Sequence, residues 1–136
     1  MKYHFVYGQQ GVGKTTAIGR LYKAILALGG KTLEFRHLFD EDFQAIVSYL
    51  DKKIAIYSPG DECQHLQTAI EYAMSNGCEI LVAAVRKATH YNTVLDALGI
   101  SRDDVRWHEF SEADGVPACH RTQNEKIIEI IIEISQ

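Results

Sequence analysis

Two rhythms of apolar positions alternate along the chain. Tyr3–Tyr7 is a short apolar run, rich in aromatics and closed by Gly8, and it predicts a strand. Ala17, Ile18, Leu21, Tyr22, Ile25 and Leu28 then recur at helical spacing. Gly29-Gly30 supplies the left-handed cap that ends such a helix. Thr32–Arg36 predicts a second strand. Asp40 next reads as the N-cap of a helix, with Glu41 and Asp42 in its first turn and Phe43, Ile46, Val47 and Leu50 as its buried stripe. Lys53–Tyr57 (KIAIY) predicts a third strand, followed by the turn-forming Ser58-Pro59-Gly60-Asp61. A helix over Cys63–Asn76 puts Leu66, Ala69, Ile70 and Ala73 on one face. Glu79–Val85 (EILVAAV) is the most apolar run and suits a central strand covered on both faces. A short helix around Thr93–Leu98 stops at Gly99, and Asp104–Phe110 predicts a fifth strand.

The last segment pulls two ways. Ile127, Ile128, Ile130, Ile131, Ile132 and Ile134 are β-branched and would suit a strand. Glu125, Glu129 and Glu133 are four apart, however, which puts them on one helical face. Thr122 and Glu125 have the spacing of a capping box. The balance favours a terminal helix. Strand alternating with helix predicts one α/β domain over residues 1–136, a three-layer sandwich around a mainly parallel five-stranded sheet. Ligands of such sheets sit beyond the carboxyl ends of the strands. The segments to inspect are therefore Gly8–Thr16, His37–Asp40, Ser58–Glu62, Arg86–Tyr91 and Ser111–Arg121.

Composition narrows the class. The chain has 136 residues, 46% of them hydrophobic and 24% charged, which is ordinary for a globular domain able to bury a core. No apolar run is long enough to span a membrane, and no signal-like stretch develops before Gly8, so a cytoplasmic protein without a membrane partner is expected. Fourteen basic against eighteen acidic residues leave a formal charge of −4, which argues against a nucleic-acid surface but not against a local basic pocket. Cys63, Cys78 and Cys119 include no CxxC pair, so reduced structural thiols are expected.

One motif carries chemistry. Gly8-Gln9-Gln10-Gly11-Val12-Gly13-Lys14-Thr15 matches G-x-x-x-x-G-K-[ST], and it follows a predicted strand and opens a predicted helix, as that motif requires. Glycines let the backbone wrap round phosphate oxygens with several N–H groups turned inward. The helix N-terminus adds unpaired N–H groups and partial positive charge. Lys14 supplies a mobile cation for the β- and γ-phosphates, Thr15 a hard oxygen for Mg²⁺, and Thr16 a donor for the α-phosphate. Gly8, Gly11, Val12, Gly13, Lys14, Thr15 and Thr16 are thus the candidate nucleotide-binding residues.

Residues 1–28 resemble the opening unit of the P-loop NTPase superfamily, and the alternating architecture extends the resemblance over nearly the whole chain. Small size, with KIAIY arriving third, is similar to the nucleotide-kinase and GTPase branch. The resemblance implies a sheet ordered 2-3-1-4-5 and a strand-end aspartate for Mg²⁺. Here that strand ends in Tyr57-Ser58, and the nearest carboxylates are Asp61 and Glu62. Asp61 becomes the candidate metal contact beside Thr15, with helix N-capping as its alternative role. Glu62 is a candidate for orienting or deprotonating a nucleophile. Where GTPases carry N-K-x-D, this chain reads Arg86-Lys87-Ala88-Thr89. The guanine-pairing aspartate is replaced, which favours ATP over GTP.

Arg86 is a candidate stabiliser of a transferring phosphoryl group. Lys87, His90 and Tyr91 are candidates for a second ligand, and Arg121 for stacking on the base. The stretch from Arg86 to Arg106 is the one place for a lid. The expected activity is Mg²⁺-dependent nucleoside-triphosphate binding with hydrolysis or transfer of the γ-phosphate, with Lys14, Asp61, Glu62 and Arg86 catalytic. A switch or binding module with little turnover, answering to a protein partner, and a kinase acting on a small-molecule acceptor are the alternatives.

Overall fold

The chain runs β1 (Lys2–Gly8), α1 (Lys14–Ala27), β2 (Lys31–His37), β3 (Phe43–Tyr49), β4 (Lys52–Tyr57), α2 (Cys63–Ser75), β5 (Ile80–Arg86), α3 (Tyr91–Ala97), β6 (Val105–Glu109) and α4 (His120–Ile134). A 3-10 turn at Arg102–Asp104 precedes β6. This computed structural model describes residues 1–8, 14–60, 63–86, 91–109 and 120–136, and at 63 and 120–123 the backbone alone.

The strands form one sheet in the order β2-β3-β4-β5-β1-β6. β4 with β5, β5 with β1 and β1 with β6 pair parallel; β2 with β3 and β3 with β4 pair antiparallel. On one face Ala17, Ile18, Leu21 and Ile25 of α1 and Ile127, Ile130 and Ile134 of α4 pack on Val6, Ile54, Ile56, Val82 and Ala84. On the other, Leu66, Ala69, Ile70 and Ala73 of α2 and Leu95 of α3 pack on Phe5, Ala55, Leu81, Ala83 and Val85. The three-layer α/β arrangement is as expected. Burial on both faces accounts for the unbroken apolar run of β5. Each of the fully buried Ile and Leu side chains contributes about 1.5–3 kcal/mol to that core.

The sheet has six strands rather than five, and it is mixed. The extra strand is β3, where a helix over Asp40–Leu50 was expected. Phe43, Ala45, Val47 and Tyr49 face the α1 side and Ile46 faces the α2 side, a period of two. Leu50 and Asp51 have φ of 52° and 61°, so a two-residue turn of the mirror-image class joins β3 to β4. The apolar positions that fit a helical stripe also fit a strand buried on both faces, and pairing with both β2 and β4 decides between them. Asp40, at φ 52°, caps no helix. It lies in the turn between β2 and β3, held by Leu38 N–H to Asp42 O and Asp42 N–H to Phe39 O, each 2.9 Å.

The strand order also departs from 2-3-1-4-5. β1 lies between β5 and β6, and the KIAIY strand, β4, is separated from β1 by β5. The terminal segment is helical, as the glutamate spacing predicts. It begins at His120, two residues ahead of the Thr122 expected to cap it. Cys78 is buried and free, and burial pushes its thiol pKa up, which fits an inert structural role. The side chains of Cys63 and Cys119 lie outside the described residues. Among the described residues no helix is long and apolar enough to cross a membrane.

Candidate functional site

Strand β1 delivers its last residue, Gly8, to the carboxyl edge of the sheet, and α1 starts six residues later at Lys14. Lys14 is 5% exposed, and its Nζ donates to Gly8 O at 2.9 Å. The ammonium therefore reaches back to the residue where the motif begins. It places a full positive charge at the N-terminus of α1, the positive end of the helix dipole.

Beside it lies a network that sequence reasoning missed. Thr15 Oγ1 donates to Asp42 Oδ1 at 3.3 Å, and Ser58 Oγ donates to the same oxygen at 2.8 Å. Ser58, fully buried, accepts the Phe43 N–H on its hydroxyl at 2.9 Å, and its own N–H donates to Phe43 O at 3.0 Å. The antiparallel partner of β4 thus brings a carboxylate to the strand end that lacks one of its own. Asp42 was expected in a helical first turn; it stands instead just ahead of the first residue of β3. Reading Phe43, Ala45, Val47 and Tyr49 as an alternating strand would have put it at a strand end. Burial, and then the nearby Asp42 carboxylate, raise the pKa of Tyr57, so its hydroxyl stays protonated at neutral pH.

The other candidates divide. In the register of β1 and β5, Gly8 stands opposite Arg86. Val82 and Ala84 face the α1 side, so alternation places Arg86 on that side too. Gly60 lets the chain after β4 pass close to β5: a Cβ there would fall 2.5 Å from Ala84 O. Tyr91 packs with Trp107 and Tyr7, at ring-centroid distances of 4.6 and 5.6 Å, in an aromatic cluster. Arg102 bonds Asp96 Oδ1 at 2.8 Å and Asn92 Oδ1 at 3.2 Å, tying the 3-10 turn to α3, so this part of the expected lid is anchored. Gly11, Val12, Gly13, Asp61, Glu62, Lys87 and His90 lie outside the described residues, as does the side chain of Arg121.

Two clefts meet at Thr15. One, of about 490 Å³, is lined by Thr15, Asp40, Glu41 and Asp42, where a cation would find carboxylates. The other, of about 420 Å³, runs along α1 past Thr16, Arg20 and Lys23 to Tyr22, Phe35 and Phe43. The Phe35 and Phe43 rings are stacked at 5.6 Å and Phe35 is half exposed, so a flat apolar surface borders two cationic side chains. Comparison with protein-family models, with curated proteins and with solved structures finds no match to this chain.

Proposed function

We propose that this chain is a Mg²⁺-dependent nucleoside-triphosphate-binding protein of the P-loop type that hydrolyses the γ-phosphate or passes it on. The observation that carries the reading is the Thr15–Asp42–Ser58 network beside Lys14. A hydroxyl and a carboxylate at hydrogen-bond distance are the hard-oxygen pair that Mg²⁺ takes, directly or through its waters, when it bridges a polyphosphate. Lys14 and the amides at the start of α1 bind the phosphates, Thr15 and Asp42 hold Mg²⁺, and Arg86 stabilises charge on the transferring group. ATP is the preferred nucleotide because Thr89 stands where a guanine-pairing aspartate would be needed.

The cleft over Phe35 and Phe43 favours one form of this activity, transfer to a small acceptor with a flat ring and an anionic group. It opens at Thr15 and offers stacking surface beside Arg20 and Lys23. The test is a single-turnover assay with γ-labelled ATP and GTP, with and without Mg²⁺. The parent runs beside Lys14→Ala, Asp42→Asn and Asp61→Ala. Release of labelled phosphate that needs Mg²⁺, Lys14 and Asp42 is the expected result. Tight Mg²⁺-nucleotide binding with no product in any acceptor mixture would leave a nucleotide switch. Dependence on Asp61 with indifference to Asp42 would move the metal carboxylate to the loop after β4.

A further inference from the structure

Away from the carboxyl edge, β1, β6 and α4 bring together side chains that the nucleotide reading does not use. His4 stands opposite Arg106 and His108 opposite Val6, so the two imidazoles are diagonal neighbours on the sheet face that α4 covers. Each is 4% exposed. Glu129 and Glu133, one helical turn apart on α4, reach them from above. His4 Nδ1 lies 3.2 Å from His108 Nε2 and 3.3 Å from Glu133 Oε2, and His108 Nε2 lies 3.9 Å from Glu133 Oε2. Glu133 Oε2 and His108 Nδ1 are buried and have no hydrogen-bond partner among the described residues. A buried carboxylate oxygen aimed at two imidazole nitrogens, without a bond to either, needs an explanation.

We propose that His4 Nδ1, His108 Nε2 and Glu133 Oε2 bind a single divalent first-row transition-metal ion, Zn²⁺ foremost, with a fourth position left for water. Ligand atoms at about 2.0–2.1 Å from a tetrahedral ion stand about 3.3–3.4 Å from one another, and the three separations here bracket that value. Two imidazoles and one carboxylate suit Zn²⁺ and its neighbours, not Mg²⁺ or Ca²⁺, which take oxygens. A polar cleft of about 270 Å³ reaches His4 and Glu133 from solvent, between Lys2, Asp104 and Arg106, and gives an ion and a water molecule a way in. Glu129 Oε1 stands 3.8 Å from His108 Nδ1, a few tenths of an ångström beyond the hydrogen bond by which a carboxylate orients a ligating imidazole. Burial, and then the neighbouring charged groups, lower both imidazole pKa values to about 4, so both rings are in the neutral form that ligates metal at pH 7.

The test uses tag-free protein stripped with chelator and titrated separately with Zn²⁺ and Co²⁺, read by calorimetric stoichiometry and by the visible spectrum of bound Co²⁺. One equivalent of each metal is expected, with an intense Co²⁺ spectrum of tetrahedral type. Glu133→Gln, at a partly exposed position that tolerates the change, should weaken binding at least about tenfold and alter the spectrum. Glu129→Gln should weaken it severalfold, and Asp42→Asn should leave it as in the parent, which separates this site from the nucleotide site. Absence of micromolar Zn²⁺ binding, or Glu133→Gln binding Co²⁺ with the parent's affinity and spectrum, would overturn the proposal.

Discussion

The molecule holds two polar clusters on the same face of its sheet, and they are built on opposite plans. Around Thr15 the groups are hydroxyls, a carboxylate and an ammonium at the sheet's carboxyl edge, beside open clefts. Around His4 they are imidazoles and a carboxylate held between strands and helix, with a polar cleft leading to them. Oxygen donors suit a hard, hydrated ion that comes and goes with its phosphates; nitrogen donors suit a softer ion held by the protein. A protein can therefore keep two cations apart by the chemistry of the donors alone.

That contrast can be broken at either end. The largest effect is expected from Lys14→Ala, which removes a charged donor from the proposed phosphate site. Affinity for Mg²⁺-ATP should fall about a hundredfold or more, followed by thermal shift or calorimetry, with metal binding at His4 unaffected. Acid should strike the other cluster. In metal-free protein His4 and His108 titrate near pH 4, against 6.5 for an unperturbed imidazole. The unfolded chain takes up protons first, so stability is full above pH 6.5 and falls as pH drops towards 4. The loss should be on the order of 3 kcal/mol for each ring, measured by denaturant midpoints across that window. Glu129, Glu133, Arg106 and Lys126 face the two rings, and a Glu133→Gln control shows how far the carboxylate shapes the profile.

Gly60→Ala comes next. A methyl group there would run into the β5 backbone at Ala84, and a cost of about 2 kcal/mol is expected in chemical unfolding. Asp42→Asn should have the smallest effect, about tenfold in Mg²⁺-nucleotide affinity. It should leave metal-free nucleotide binding intact, since the amide keeps the carboxylate's shape and loses its charge. A substitution that disturbed both clusters equally would show that they are not independent.

Much of this was legible in the chain itself, for a physical reason. The strand that ends at Gly8 and the helix that opens at Lys14 were legible because each is written in contiguous residues. Layering was legible too, since a strand buried on both faces must be apolar throughout, as EILVAAV is. What stayed hidden depends on partners far away. Phe43–Tyr49 fits a helix until β2 and β4 claim its backbone, and Asp42 meets Thr15 and Ser58 only once that strand exists. The expected five strands became six on the same segment, whose two antiparallel pairings make a mostly parallel sheet mixed. Nothing in periodicity sets which strand neighbours β1, so β5 displacing β4 from its side was beyond reach. His4 and His108 are 104 residues apart, and only the β1–β6 register makes them a pair. The glutamate spacing marked one face of α4 but could not say what that face meets.

The outer margin of the sheet carries a further consequence. β2 is exposed along its whole length, and its pairing with β3 slips between Thr32 and Glu34. A foreign strand docking there would lose registry at that irregularity and would meet Lys31, Glu34 and Arg36 along the seam. The slip and the charges oppose templating of one molecule by the next, and the exposed Leu33 and Phe35 of the same strand favour it.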